Sequence, residues 1–186
     1  MTDPGSSATP ATIPLSQRRG DIIFAVICGS FIFTTFVPDI TSVLQIDLVD
    51  LEATRQDPPL WPPMFILEAL AAYGHACDHL MLYNPPIFQS LMWGDVFFTG
   101  PYYIAALVAF IKGYNWIRIP TFLYGAHVLS YMPVLLVGHL QGIGGQYASP
   151  NPTLVFAFYS PYWIFALALM IRMRRHEPFT DRATMG

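Results

Sequence analysis

The sequence predicts an all-α membrane protein: a four-transmembrane-helix bundle, its helices kinked at proline around an internal pocket. Three observations carry that expectation. Of 186 residues, 54% are hydrophobic, 15% aromatic and only 11% charged, whereas soluble domains carry about 25% charged residues. Four apolar runs are long enough to cross about 30 Å of hydrocarbon. Each run holds a proline well away from its start: Pro38, Pro101, Pro133 and Pro161.

The chain opens on MTDPGSSATPATIPLSQ, which is rich in Pro, Ser and Thr and lacks the charged-then-apolar order of a cleavable signal. Residues 1–20 are therefore expected to be a disordered cytosolic tail, 21–175 the transmembrane domain and 176–186 a second cytosolic tail. The four helices are expected at about 22–45, 87–111, 119–140 and 153–171. Between the first two runs, the loop 46–86 carries Asp47, Asp50, Glu52, Asp57, Glu68 and Asp78, and its MFILEALAAYGHACDHLML stretch reads as an interfacial helix.

Charge placement sets the orientation. Arg18 and Arg19 precede the first run, Lys112 and Arg118 bracket the turn between the second and third, and Arg172, Arg174, Arg175 and Arg182 follow the fourth. Four crossings put all of these on one side, which the positive-inside rule assigns to the cytoplasm together with both termini. Cys28 and Cys77 are too few and too far apart for a disulfide framework. His75 and His79 lack the further ligands that a metal clip needs. GIGGQ at 142–146 has neither the preceding strand nor the Lys-Ser/Thr ending of a phosphate loop. No metal, cofactor or nucleic-acid partner is expected.

One acid stands out, because Asp95 lies in MWGDVFFTGPYY, about 14 Å along its helix and inside the slab. A charged side chain at the centre of a helix costs about 2.5–3.5 kcal/mol on insertion scales, so an offsetting function is expected of it. Each mid-helix proline removes a hydrogen bond and frees the carbonyl four residues earlier. Four bent helices can enclose a hollow. Its expected polar wall is Thr99, one turn beyond Asp95, with Tyr102, Tyr103, Tyr124, His127, Tyr131, Tyr159 and Tyr162, several at helical i, i+3 spacing.

The order N-P-P-x-F-x-S-x-x-x-x-D, Pro101, F-x-K-G, W-I-R-x-P-x-x-x-Y-x-x-H, Pro133 and Y-x-P-Y resembles the EXPERA superfamily over about residues 66–172. Within it the pattern is more similar to the sigma-2 receptor branch than to the emopamil-binding, sterol-isomerase branch. The resemblance implies a four-helix protein of the endoplasmic reticulum membrane with a lipophilic pocket for sterols and cationic amphiphiles. It also implies a pair of acids, one each from helices one and two. Asp95 matches the second and Tyr162 a pocket tyrosine.

The first acid does not carry over, because Leu44 stands six residues beyond Pro38, where the family places it. On a continuous helix Asp39 lies about 140° from that position and Asp47 within about 60°, which makes Asp47 the expected substitute. The lysine-rich carboxyl end of many relatives is also absent.

Three functions fit. The first is a non-catalytic carrier of sterol or terpenoid lipids held by Asp95, Thr99, Tyr103, Tyr124, His127, Tyr159, Tyr162 and Asp47. The second is an isomerase or cyclase that uses Asp95, with His127, in acid catalysis, aromatic faces stabilising a carbocation. In the isomerase pattern the helix-two acid sits one turn earlier, where this chain has Leu91 or Met92. The third is an assembly or chaperone subunit in which Asp95 pairs with His127 or a freed carbonyl to fix helix packing. The expected partners are a lipophilic small molecule, membrane lipid and a second copy of the chain, which Ala105, Ala106 and Ala109 would let approach closely.

Overall fold

The computed structural model describes residues 12–180. Residues 1–11 and 181–186, parts of the two expected tails, lie outside the described residues, whereas 12–20 are placed and already include a short turn at Leu15–Gln17. Seven helical stretches follow: α1 (Arg19–Val43), α2 (Leu51–Gln56), α3 (Met64–Ala76), α4 (His79–Tyr83), α5 (Pro86–Lys112), α6 (Asn115–Gln141) and α7 (Pro152–Arg172). No strand longer than an isolated bridge occurs among the described residues. Helices α1, α5, α6 and α7 are long and apolar enough to cross a membrane, and all four fall within a few residues of the expected runs.

The expected interfacial helix is split in two. Cys77 ends α3, and Asp78 starts α4 by accepting a hydrogen bond from the Met81 amide at 2.9 Å. An Asp at that position satisfies an amide the helix start leaves unpaired.

Helix α1 packs mainly on α5 and α6 mainly on α7. Small residues let the first pair close: Cys28, Ala106 and Ala109 are fully buried. Ala106 and Ala109 therefore serve the chain's own packing, not the helix contact with a second copy that the sequence suggested. Large apolar side chains such as Ile23, Val26, Phe97, Ile119 and Ile164 point outward, as lipid-facing positions do.

The basic end of the bundle is tied by charge. Asp21 is buried and takes two bonds from Arg172, at 2.7 and 2.8 Å, and one from Arg18 at 2.7 Å. The same two guanidiniums lie over the Phe179 ring, at 4.7 and 5.1 Å from its centroid. Gly113 closes α5 at φ +75°, and a β-carbon there would collide with the Thr12 methyl. Only glycine adopts this conformation without cost.

Candidate functional site

The site begins where α1 and α5 lose regular winding. Thr35–Asp39 and Asp95–Thr99 each form one turn of π-helix, and the two turns pack on each other. Both adjoin a proline, Pro38 within the first and Pro101 just after the second, which withholds an amide from the α-helical ladder. Such bulges concentrate at functional sites. Gly100 sets the approach: a β-carbon on it would stand 3.0 Å from Thr35 Cγ2 and 3.1 Å from the Phe36 ring. Trp61, from the loop before α3, donates its indole N–H to the Phe36 carbonyl at 2.7 Å, and the Thr41 hydroxyl donates to the Pro38 carbonyl at 2.6 Å.

Beside the paired π-turns lies a cavity of ≈ 250 Å³. Leu70, Met81, Phe88, Met92, Met132 and Leu135 give it apolar walls. Three acids line it, Asp39, Asp78 and Asp95, together with Tyr73, Tyr103, Tyr131, Tyr159 and Tyr162. No Lys, Arg or His is among the residues lining it.

Asp95 is held by its neighbours. Its Oδ1 accepts from the Tyr131 hydroxyl at 2.8 Å and from Thr99 at 2.9 Å, while Oδ2 makes no hydrogen bond to the described residues. Asp39 has a side chain that makes none at all among the described residues, so its carboxyl is open to a ligand. Asp78 accepts from Tyr159 at 2.7 Å, and His139 Nδ1 lies 3.7 Å from its other oxygen. Tyr162 donates to the Thr34 hydroxyl at 3.0 Å and stacks on Phe31 at 4.2 Å. Burial first, and then the nearby Asp78 charge, push the Tyr73 hydroxyl above its ordinary pKa. Burial likewise raises the Cys77 thiol.

The structure sorts the expected site residues. Asp95, Tyr103, Tyr159 and Tyr162 meet at the cavity. Thr99 stands behind Asp95, and Tyr124 stands behind Tyr103, their hydroxyls 3.1 Å apart. His127 is not on the wall; its ring packs on Phe98 and Tyr131, and its Nε2 has no partner among the described residues. Asp95 does not pair with His127 among the described residues; Tyr131 and Thr99 take that place.

Asp47 is also elsewhere, accepting from the Val49 and Asp50 amides and lining a separate surface hollow. The helical arithmetic that favoured it fails because α1 ends at Val43 and Gln45 turns to φ +56°. Meanwhile the π-turn carries Asp39 round to the cavity. Sequence reasoning missed Ser42 and the cavity-facing role of Asp78; only the Asp78 cap was readable in advance.

The family model described as EXPERA (EXPanded EBP superfamily) matches residues 60–173. The chain belongs to the EXPERA superfamily. This EXPERA chain is 33% identical to "Sigma intracellular receptor 2" of Xenopus tropicalis over 135 residues, covering 68% of the chain and 77% of that relative. It is 30% identical to the Homo sapiens protein of the same name over 174 residues, covering 87% and 91%. These matches bear out the resemblance read from the motifs. The π-turn bearing Asp95, with its Tyr131 partner, falls within the matched region, while Asp39 lies before it.

Proposed function

We propose that this EXPERA protein binds a sterol or similarly lipophilic small molecule in the cavity beside its two π-turns. In this reading it is a sigma-2-receptor-like protein of sterol and lipid handling. The observation that carries it is Asp95: a carboxyl with one oxygen fixed by Tyr131 and Thr99 and the other without a hydrogen bond among the described residues, on the wall of a largely apolar cavity. Apolar walls with a few convergent polar groups suit such ligands. Asp39, in place of Asp47, supplies the helix-one acid. Basic residues gathered at one end favour cytosolic termini, and the family favours the endoplasmic reticulum membrane. Saturable binding of tritiated cholesterol to the purified protein, weakened at least tenfold by Asp95→Asn and unchanged by Asp47→Asn, is the expected result. Equal binding by all three proteins would contradict the proposal.

A second reading is favoured by the open carboxyl of Asp39 on the same cavity as Asp95. Two acids can move a double bond within a buried alkene. Asp95 gives a proton to one alkene carbon, a carbocation forms, and Asp39 as carboxylate takes a proton from the carbon next to it. The substrate keeps its atoms and electrons, and the proton returns to Asp95 through solvent or a direct exchange. Incubating a Δ8-sterol in deuterated water tests it: a shifted double bond with one deuterium supports an isomerase, and unchanged sterol with intact binding supports a carrier.

A further inference from the structure

The acidic end of the cavity, opposite Asp95, holds more hydrogen-bonding capacity than the protein itself uses. Ser42 is among the residues that line the cavity, and its hydroxyl is buried with no partner among the described residues. Its position is fixed, because the Ser42 carbonyl accepts from Asn84 Nδ2 at 2.9 Å and Gln89 Nε2 at 3.2 Å. Those bonds tie the end of α1 to the end of α4, the helix that Asp78 caps, so Ser42 and Asp78 belong to the same end.

Asp78 and Tyr159 line that end too, already bonded to each other. Behind them His139 is 1% exposed, with neither ring nitrogen hydrogen-bonded among the described residues. Buried polar groups without partners are rare in native proteins, and each calls for an explanation.

The two polar ends are well separated. On α6, Tyr131 holds Asp95 and His139 stands beside Asp78. The eight residue steps from Tyr131 to His139 correspond to about 12 Å of helix. Between the ends the walls are mostly apolar, with Met81, Phe88, Met92, Met132 and Leu135, and Asp39 shares the same cavity. A ligand with one polar group would satisfy Asp95 and leave Ser42 unanswered.

We propose that Ser42, Asp78 and Tyr159 form a second polar anchor, and that the ligand is accordingly a lipophile with a hydroxyl group at each end. This rests on the lipophile-binding function proposed above and narrows its ligand class. At the deep end one hydroxyl donates to Asp95 Oδ2. At the acidic end the other accepts from Ser42 Oγ–H and donates toward the Asp78–Tyr159 pair. His139 is a positioning residue, packing its ring 5.0 Å from that of Tyr159.

The test uses the full chain in nanodiscs with tritiated androstanediol, which carries a hydroxyl at each end of its ring system. The competitors are the two androstanols that each lack one of those hydroxyls. The diol is expected to bind about tenfold tighter than either mono-ol, the worth of one buried hydrogen bond. Ser42→Ala removes a single oxygen and is expected to erase that advantage, leaving mono-ol affinity unchanged. Tyr159→Phe should also erase the diol's advantage, with thermal unfolding of each apo variant as the control for folding.

Equal affinity of diol and mono-ols for the wild type would overturn the second anchor alone, leaving an end that holds only water. A diol advantage that persists in both Ser42→Ala and Tyr159→Phe would overturn it as well. Absence of saturable binding of all three steroids would overturn the lipophile reading, and the second anchor with it.

Discussion

The Tyr131 hydroxyl donates to Asp95 Oδ1 at 2.8 Å, joining α6 to the π-turn of α5. An amide oxygen can accept the same bond. Asp95→Asn should therefore leave the thermal midpoint within a few degrees of wild type while ligand affinity falls at least tenfold. Tyr131→Phe removes the donor and should cost about 1–3 kcal/mol of stability. Thermal unfolding in detergent beside steroid-binding isotherms checks both; a large Tm loss in Asp95→Asn would mark the acid as a packing element.

Asp39 and Asp47 make a matched comparison. The former faces the cavity without a hydrogen-bond partner among the described residues, and the latter binds the Val49 and Asp50 amides on the surface. Asp39→Asn should weaken ligand binding and leave stability unchanged or improved, since an unpaired buried acid is relieved. Asp47→Ala should leave binding intact and cost about 1 kcal/mol, as loss of a turn-capping carboxylate does. Parallel binding and unfolding curves for the two variants decide it.

Gly100 controls how closely the two π-turns approach. Gly100→Val would drive a side chain into Thr35 and Phe36, already 3.0 and 3.1 Å from a single added carbon. Overpacking of this kind costs about 1–3 kcal/mol. The shift should also separate Asp39 from Asp95, so affinity is expected to fall in the protein that remains folded. An unchanged Tm would contradict the close approach.

Much of this was legible in the sequence, and the parts that were not share a cause. Apolar runs, basic ends and mid-run prolines located the four crossings within a few residues, because lipid demands length and composition that composition alone reveals. Asp95 stood out for the same reason. Asp39 was misplaced because angles were counted on an uninterrupted α-helix, whereas the chain inserts a π-turn at Thr35–Asp39 and stops at Val43. His127 and Tyr124 share a face of α6 with Tyr131 by spacing, yet which tyrosine reaches Asp95 depends on how α6 sits against α5. Ser42 is tied to the helix that Asp78 caps by the Asn84 bond, a contact between residues 42 apart in the chain.

At the opposite end, Asp21 holds two guanidiniums. Asp21→Ala would strand Arg18 and Arg172 beside each other, and breaking a buried pair from one side costs about 3–5 kcal/mol. The partial exposure of Arg172 places the loss near the lower bound. Ligand affinity in the folded fraction should stay within about twofold, because the clamp and the cavity share no residue. Chemical denaturation read alongside binding separates these two effects.

Cys77 offers a check on the acidic end. Burial holds its thiol above the ordinary range, so little thiolate exists at pH 8 and maleimide labelling should be slow, rising as pH is raised further. In a Cys28→Ala background, labelling at the rate of a free thiol would show that the α3–α4 break is open to solvent.

The most direct measurement is photolabelling with a diazirine-bearing sterol in nanodiscs, followed by mapping of the modified residues. Labels displaced by excess unlabelled sterol should fall on the cavity wall, around Thr34–Ser42, Phe88–Asp95 and Tyr131–Leu135. Labels confined to outward-facing residues such as Phe97, Ile104 and Ile164, with no displacement, would contradict a ligand held inside the bundle.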